Sequence, residues 1–524
     1  MHRHNEILLG DILRKAAKLN PDKEAIIFKE NRFTFKTFFE RTNNIANFLM
    51  NSGVKKGDRI AVLMENCHQY AELYFAIPKS GGIAVPINYR LAAEEIEWII
   101  NFSEANTLIF GEKYIDTIRR IRSTIPSVRN FIGIGIIGNE FINYDNMLSG
   151  SSDEPHVDIH DDDVACIYWT SGTTGRPKGA MLTHRNLISS ATNTCVCYKE
   201  SFGDSFIIIS PMFHSASPCH LFARVSMGNT CVILEGWEMR LYLETIQKEK
   251  ITHIFLLPTM IRWVLESAVV QNYDLSTLRL LHYGGAPLDV DTIKKAKKIF
   301  GCDLIQGFGM TEIGPSAVSE STREDHILDG STEKEERFAS VGRDAFNAEV
   351  RIVDDDDNEV PVGEVGEICV RGQHVMKGYW RMPTETDEAL KNGWFHTGDL
   401  GRRDKGGYIY VVDRKKDMII SGAENIYSAE VERAISFHPA VSEVAVVGVP
   451  DKIWGEAVKA VVVLKEGVEA TEEEIIEHCK KHLASYKKPK SVDFVKELPK
   501  SEMGKILKRD LRATYWEGHE KGVY

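Results

Sequence analysis

No stretch of 18 consecutive apolar residues occurs anywhere in the 524-residue chain, so the sequence offers no segment that reads as a bilayer-spanning helix. Cysteine is sparse: nine residues are scattered from Cys67 to Cys479 with no CxxC pair. That spacing speaks against a zinc ribbon or a dithiol redox motif and for reduced, mostly buried thiols. Only Cys195 and Cys197 sit close together, and no second ligand pair accompanies them. A basic excess is also missing. Lys and Arg total 64 against 76 Asp and Glu, a net charge of −12, which removes the counterion-release drive of a general nucleic-acid binder but leaves room for a local basic patch. No uninterrupted hydrophobic region follows Arg3, Glu6 and Asp11, and the last residues, Lys-Gly-Val-Tyr, are not a peroxisomal address, so the cytoplasm is the expected compartment. No internal repeat is visible. Hydrophobic content of 43% and charged content of 27% are those of an ordinary globular protein, and the length exceeds one ordinary domain.

What is present is concentrated first in Tyr168 to His184, YWTSGTTGRPKGAMLTH. Ser171, Gly172, Thr173, Thr174 and Gly175 are consecutive, with Lys178 close behind. Small residues let backbone N–H groups turn toward an anion, hydroxyls add donors, and the lysine adds a compact positive charge. The apolar run Val164–Trp169 reads as a buried strand feeding this loop. It is not a Walker loop: Gly172 is followed five residues later by Pro177, then Lys178 and Gly179, with no hydroxyl after the lysine and poor prospects for an immediate helix.

The rest of the chain alternates helical and strand signals, which predicts α/β layering with a mostly parallel sheet. Leu8–Leu19 and Gln69–Lys79 have helical spacing; 24–28, 59–64, 205–210, 231–234, 253–257 and 278–283 read as strands. Beyond about residue 340 the pattern becomes β-rich, and the acidic tetrad Asp354–Asp357, followed by Asn358 and Pro361, reads as a solvated hairpin turn rather than a metal site. The last hundred residues predict a small α+β unit, with strands at 444–449 and 457–464 and a capping box, Thr471-Glu472-Glu473-Glu474, before a helix carrying Ile475, Ile476, Cys479 and Leu483. The run Arg414-Lys415-Lys416-Asp417 would join this unit to the larger one. The expected division is 1–415 and 416–524.

TSGTTGRPKG resembles the phosphate-loop signature of the adenylate-forming superfamily of acyl-CoA synthetases, peptide-synthetase adenylation domains and luciferases. Further segments resemble that family in its order along the chain: PMFHSAS at 211–217, YGGAPL at 283–288, QGFGMTE at 306–312, HTGDL at 396–400, DRKKDMIISGAENIY at 413–427 and PKSEMGKILKRDL at 499–511. The resemblance implies a large AMP-binding domain and a small mobile C-terminal domain. It implies a two-step reaction in which a carboxylate attacks the α-phosphorus of ATP and a thiol then displaces AMP. Such chemistry needs cations and oriented donors more than a nucleophilic side chain.

Carried over residue by residue, the resemblance places Thr170, Ser171, Gly172, Thr173, Thr174, Gly175 and Lys178 around the β- and γ-phosphates. Thr311 would meet the α-phosphate, and Glu312, with Thr174, would hold Mg²⁺, a hard cation that typically uses one or two carboxylates and keeps its waters. Gly284, Gly285 and Ala286 would close on adenine as a backbone edge, and Gly307, Phe308, Gly309 and Met310 would line the same place, Phe308 stacking on the base. Many family members have tyrosine where this chain has Phe308, so any hydroxyl role there is lost. Asp399 and Arg414 would hold the ribose. Lys505 would reach the carboxylate and phosphate during adenylation. Lys416 matches the pivot about which the small domain turns, bringing Gly422 and Glu424 toward the adenylate and a pantetheine channel of coenzyme A.

For the acid, the relatives that activate amino acids carry an aspartate where this chain has His214, which disfavours an amino acid. His214 would contact or gate the substrate. Acetate-specific relatives carry tryptophan where this chain has Gly309, so an open tunnel is expected. The implied function is an ATP-dependent carboxylic acid–CoA ligase for a medium- or long-chain fatty acid, with an aryl acid, or loading of a carrier protein by a stand-alone adenylating enzyme, as alternatives. A non-catalytic nucleotide-binding protein is disfavoured by the presence of Lys178, Glu312, Asp399 and Lys505, and nothing points to a luciferase-type oxygenase. The expected partners are ATP, coenzyme A and a small carboxylic acid, with no nucleic acid; association into a homodimer is left open.

Overall fold

The computed structural model describes residues 6–135, 140–170, 176–285, 288–314, 319–327, 335, 337–421, 424–500 and 506–517. The chain forms two compact units, Met1–Val350 with Val370–His396, and Arg351–Cys369 with Thr397–Tyr524.

The first unit carries two large sheets. One has eight strands in the spatial order Gly378–Tyr379, Lys178–Thr183, Val164–Thr170, Ile83–Pro86, Arg59–Leu63, Thr107–Gly111, Asn130–Ile134, Ile142–Asn143. From Val164–Thr170 onward all its pairings are parallel. These short strands read as unbroken apolar runs because helices such as Ala93–Ser103 cover them; Leu63, Val85, Ile96, Leu108 and Phe110 share one core. The other sheet has nine strands. Six adjacent ones are parallel, in the order Asp303–Phe308, Leu280–Gly284, His253–Leu256, Ser205–Ile208, Thr230–Ile233, Glu24–Phe28. Its core joins Ile207, Ile254 and Leu281 to Leu243, Ile246 and Ile293 from the covering helices.

Strand expectations from the sequence agree with these elements to within two residues at each end. Sheet membership is where the structure adds most. Glu24–Phe28 forms a hairpin with Asn31–Thr34 but does not join the sheet of Arg59–Leu63 and Ile83–Pro86; it pairs with Thr230–Ile233, about two hundred residues later. The Ser/Thr/Gly loop leaves Val164–Thr170 and returns as the antiparallel strand Lys178–Thr183, with Thr170 opposite Lys178. That strand passes directly into the helix His184–Cys197 through a capping box: Thr183 Oγ1 accepts from Asn186 N at 3.1 Å and Asn186 Oδ1 from Thr183 N at 2.9 Å. Cys195 and Cys197 fall on this helix two residues apart, so they point to different faces; Cys195 Sγ donates to the Ala223 carbonyl.

In the second unit a sheet of five strands holds Glu424–Ile426, Ile419–Ser421, Gly455–Leu464 and Val441–Asp451, with Ser491–Phe494 parallel to Gly455–Leu464. Both faces of its long central pair are buried, by strict alternation. Val444, Val446, Ala460 and Val462 pack with Ile475 and Cys479 of the helix Glu472–His482, whereas Ala445, Val447 and Val461 pack with Leu498 and Leu511. The Thr471 capping box forms, Thr471 Oγ1 accepting from Glu474 N at 3.2 Å. The acidic tetrad turns a tight hairpin, in which Asp354 N donates to Asn358 O at 2.9 Å and Val353 bridges Glu359. Packing places Thr397–Arg414 in the same compact unit as the C-terminal sheet; the division at 415 concerns a pivot, which compactness does not locate. Among the described residues no helix is long and apolar enough to cross a membrane.

Candidate active site

Glu312 is the focus of the first unit's site. It lies on a short 3-10 turn, Thr311–Ile313, just past the strand Asp303–Phe308. Its carboxylate is half-buried and, among the described residues, forms no ion pair. Instead Oε1 accepts from two neutral hydroxyls, Thr170 Oγ1 at 3.2 Å and Tyr379 OH at 3.2 Å. Thr170 also lies 3.4 Å from the Lys178 carbonyl. The Lys178 ammonium sits 5.0 Å above the Tyr379 ring. Burial raises the Tyr379 pKa, and the adjacent Glu312 charge adds to the shift, so the phenol keeps its proton and donates. The backbone locks the arrangement: Met376 N donates to Glu312 O at 2.8 Å, and Tyr379 is paired in register with Ala180. A carboxylate fed only by neutral donors, beside a lysine and the mouth of a hydroxyl-rich loop, is a donor set that fits a hard divalent cation bridged to phosphate oxygens.

Thr311 Oγ1 lies 3.0 Å from Ser215 Oγ, both buried, which ties the 211–217 segment to the 306–312 segment. His214 precedes the helix Ala216–Ser226, and its Nδ1 accepts from Ala216 N at 3.3 Å. Burial of the ring lowers its pKa. Both facts favour the neutral tautomer protonated at Nε2, a hydrogen-bond donor rather than a cation. Gly284 and Gly307 are directly opposite on parallel strands, and a Cβ on Gly284 would stand 3.0 Å from the Gly307 carbonyl oxygen. Gly285 follows with φ +84°. Any side chain there would push the two edges apart, so this end of the sheet presents bare backbone. Phe308, Gly309 and Met310 are half-buried just beyond it.

In the second unit, Asp399 and Arg414 are cross-strand partners and form an ion pair at 2.5 Å, with Asp399 buried. Thr397 Oγ1 accepts from Asp399 N at 3.0 Å and donates to Ile368 O at 2.8 Å. These bonds fix the carboxylate before any ligand arrives. Lys416 is exposed, and its carbonyl accepts from Arg512 Nη1 at 2.7 Å. One residue before Arg414, the buried Asp413 caps the helix Ser428–Ser436, accepting from Ser428 Oγ at 2.8 Å. Glu424 is exposed, opposite Ser421.

The structure therefore brings together Thr170, Lys178, Glu312 and Thr311 in one unit and Asp399 with Arg414 in the other. Ser171, Gly172, Thr173, Thr174, Gly175, Ala286, Gly422 and Lys505 lie outside the described residues. Two contributors escaped the sequence analysis. Ser215 stands inside a quoted motif but reads as an ordinary small residue. Tyr379, in the run Gly378-Tyr379-Trp380, is indistinguishable from a core aromatic until its strand is placed beside Lys178–Thr183.

In the first unit, a bare-backbone sheet edge and an unneutralised carboxylate beside Lys178 are features that fit a nucleotide-handling site. Comparison with known proteins agrees. The AMP-binding enzyme family profile matches residues 13–380 and the AMP-binding enzyme C-terminal domain matches 430–505, so the chain belongs to the AMP-binding enzyme family. A feruloyl-CoA synthase from Amycolatopsis sp is 36% identical, covering 97% of this chain and 99% of that protein. The long-chain-fatty-acid–CoA ligase FadD13 of Mycobacterium tuberculosis is 34% identical, covering 97% and 98%. The ATP-bound crystal structure of MatB from Rhodopseudomonas palustris superposes with a TM-score of 0.88 at 29% identity, covering 98% of this chain and 100% of that one. The protein is an AMP-forming acyl-CoA ligase.

Proposed function

We propose that this protein activates a carboxylic acid as its acyl-adenylate and passes the acyl group to the thiol of coenzyme A. The observation that carries the reading is the setting of Glu312: two neutral hydroxyls feed it, Lys178 stands beside it, and the Ser215–Thr311 contact links it to the segment carrying His214. In the first step the acid's oxygen attacks the α-phosphorus and pyrophosphate leaves. The loop 171–175 and Lys178 hold the departing phosphates, Thr311 orients the α-phosphate, and Lys505 supplies positive charge where the two anions meet. Mg²⁺ held by Glu312, with Thr174, would supply charge neutralisation on the phosphate oxygens. In the second step the thiol attacks the acyl carbon, and the carboxylate oxygen leaves with AMP. Asp399 and Arg414 hold the ribose throughout. Between steps the part after Lys416 turns, taking Lys505 away and bringing Gly422 and Glu424 in.

Free coenzyme A is the acceptor we favour, because the similar feruloyl-CoA synthase and long-chain-fatty-acid–CoA ligase are named for it. The acid has an apolar body, a medium- or long-chain fatty acid or an aryl acid. A cytoplasmic enzyme without nucleic-acid partners fits the acidic composition. The test is AMP release from a panel of C2 to C18 and aryl acids, with and without coenzyme A. Turnover that requires free coenzyme A is the expected result; turnover only with an added carrier protein would move the reading to a carrier-loading enzyme. In the same assay Glu312→Gln should raise the magnesium concentration needed for half-maximal pyrophosphate release at least tenfold, and an unchanged requirement would remove Glu312 from the cation site.

A further inference from the structure

The helix Glu472–His482 turns Ile475 and Cys479 into the core of the C-terminal sheet. Its last turns carry two histidines, His478 and His482, at i and i+4, which makes them neighbours on one face. Their ring centroids lie 4.7 Å apart. A third ring, His438, comes from the turn that follows the adjoining helix Ser428–Ser436, and its centroid lies 5.1 Å from that of His478. His438 and His478 are half-buried, and His482 is exposed. All three belong to the second unit, and none has a part in the ligase chemistry described above.

The spacing is that of imidazoles sharing an ion. Metal–nitrogen bonds of about 2.0–2.1 Å, at ligand angles from square to tetrahedral, put the centroids of two bound rings about 4.5–5.2 Å apart. Hydrogen bonding also sets the tautomer of the central ring. His478 Nε2 donates to the Ala434 carbonyl oxygen at 3.1 Å, which leaves the lone pair on Nδ1. Metal-ligating histidines usually have this arrangement, one ring nitrogen held by a carbonyl and the other facing the ion. Ala440 N donates to His438 Nδ1 at 3.3 Å, a long bond that a turn of the ring gives up at little cost. Burial lowers the pKa of His478, and the charges of His482 and His438 would add to the shift, so the ring is neutral and able to ligate at neutral pH. The last carbonyls of the helix carry partial negative charge, which favours a cation at this end. Of the lysines beside it, Lys480 pairs with Glu477 and Lys481 is exposed to screening solvent.

We propose that His438, His478 and His482 bind one divalent transition-metal ion of the imidazole-preferring class, such as zinc, and that the ion fastens the end of the helix Ser428–Ser436 to the end of the helix Glu472–His482. Three nitrogen ligands with no carboxylate among them suit such an ion and not Mg²⁺ or Ca²⁺, which take oxygen. The site is therefore distinct from the magnesium site proposed at Glu312, and it stands or falls independently of the ligase reading. The ion exchanges bound water for imidazole and carries out no redox step. It braces the C-terminal sheet on the face that packs with Ile475 and Cys479, opposite the face that packs with Leu498 and Leu511.

The experiment titrates Zn²⁺ into the chelator-treated full chain at neutral pH and follows binding by calorimetry. Saturable binding of one zinc per chain is the expected result. His478→Gln and His482→Gln should each weaken it about tenfold or more, as loss of a metal-site group does. His482 is exposed at the end of its helix, so its variant tests the site without disturbing the core. Bound zinc should also protect the backbone amides of 436–440 and 478–483 from hydrogen exchange in the unaltered chain, and should fail to do so in His478→Gln. Absence of saturable binding overturns the proposal. So does binding that survives both variants unchanged, which would place the ion on other ligands such as the cysteines, and so does binding that leaves the exchange of these two segments unaltered.

Discussion

Lys505→Ala should slow pyrophosphate release from acid and ATP by about 10²–10³-fold, the loss expected when one charge-stabilising group is removed from a partly dehydrated transition state. Thioester formation from supplied acyl-adenylate and coenzyme A should continue near the rate of the unaltered enzyme. The separation follows from the proposed turn about Lys416, which takes the lysine out of the site before the thiol arrives. The described residues flanking it are paired, Lys500 bridging Ile506 and Leu507 N donating to Pro499 O at 2.8 Å. Equal slowing of both half-reactions would contradict the turn and make Lys505 a group of general importance.

The second large effect concerns stability. Arg224→Leu leaves Glu200 buried without its counter-charge, a loss of about 3–5 kcal/mol by comparison with other broken buried pairs. Burial already pushes the Glu200 pKa up, and Arg224 is the main group holding it down. In the variant the carboxyl therefore has a folded-state pKa above its unfolded value of about 4.3. The deficit should be full at pH 8 and shrink as the pH falls, because protonation then favours the folded chain. Denaturant midpoints measured between pH 5 and 8 read this directly. A deficit independent of pH would mean that lost packing against Phe206 and Tyr198, not the orphaned charge, dominates. Arg224→Leu combined with Glu200→Met should recover much of the loss.

How much of this was legible in the sequence varied with the range of the interaction. Strand and helix positions followed from local periodicity. The strand Val164–Thr170 and the Thr471 cap were readable because each is specified within a few neighbouring residues. What could not be read was anything set by partners far along the chain. Glu24–Phe28 carries no mark of its pairing with Thr230–Ile233, and Tyr379 becomes a site residue only because its two-residue strand lies against Lys178–Thr183. The helix Ala216–Ser226 shows the same limit: ASPCHLFARVS holds both polar and apolar periodicities, and which of them faces the sheet is decided by tertiary packing. Asp399 stood out by its motif, but its ion pair with Arg414 needed the register of the hairpin.

The central claim is that an acid oxygen attacks the innermost phosphorus of ATP. Turnover of an acid labelled with ¹⁸O in its carboxylate, followed by mass spectrometry of the nucleotide product, tests it most directly. The account predicts AMP carrying one labelled oxygen and pyrophosphate carrying none. Unlabelled AMP, or label in orthophosphate accompanied by ADP, would contradict it.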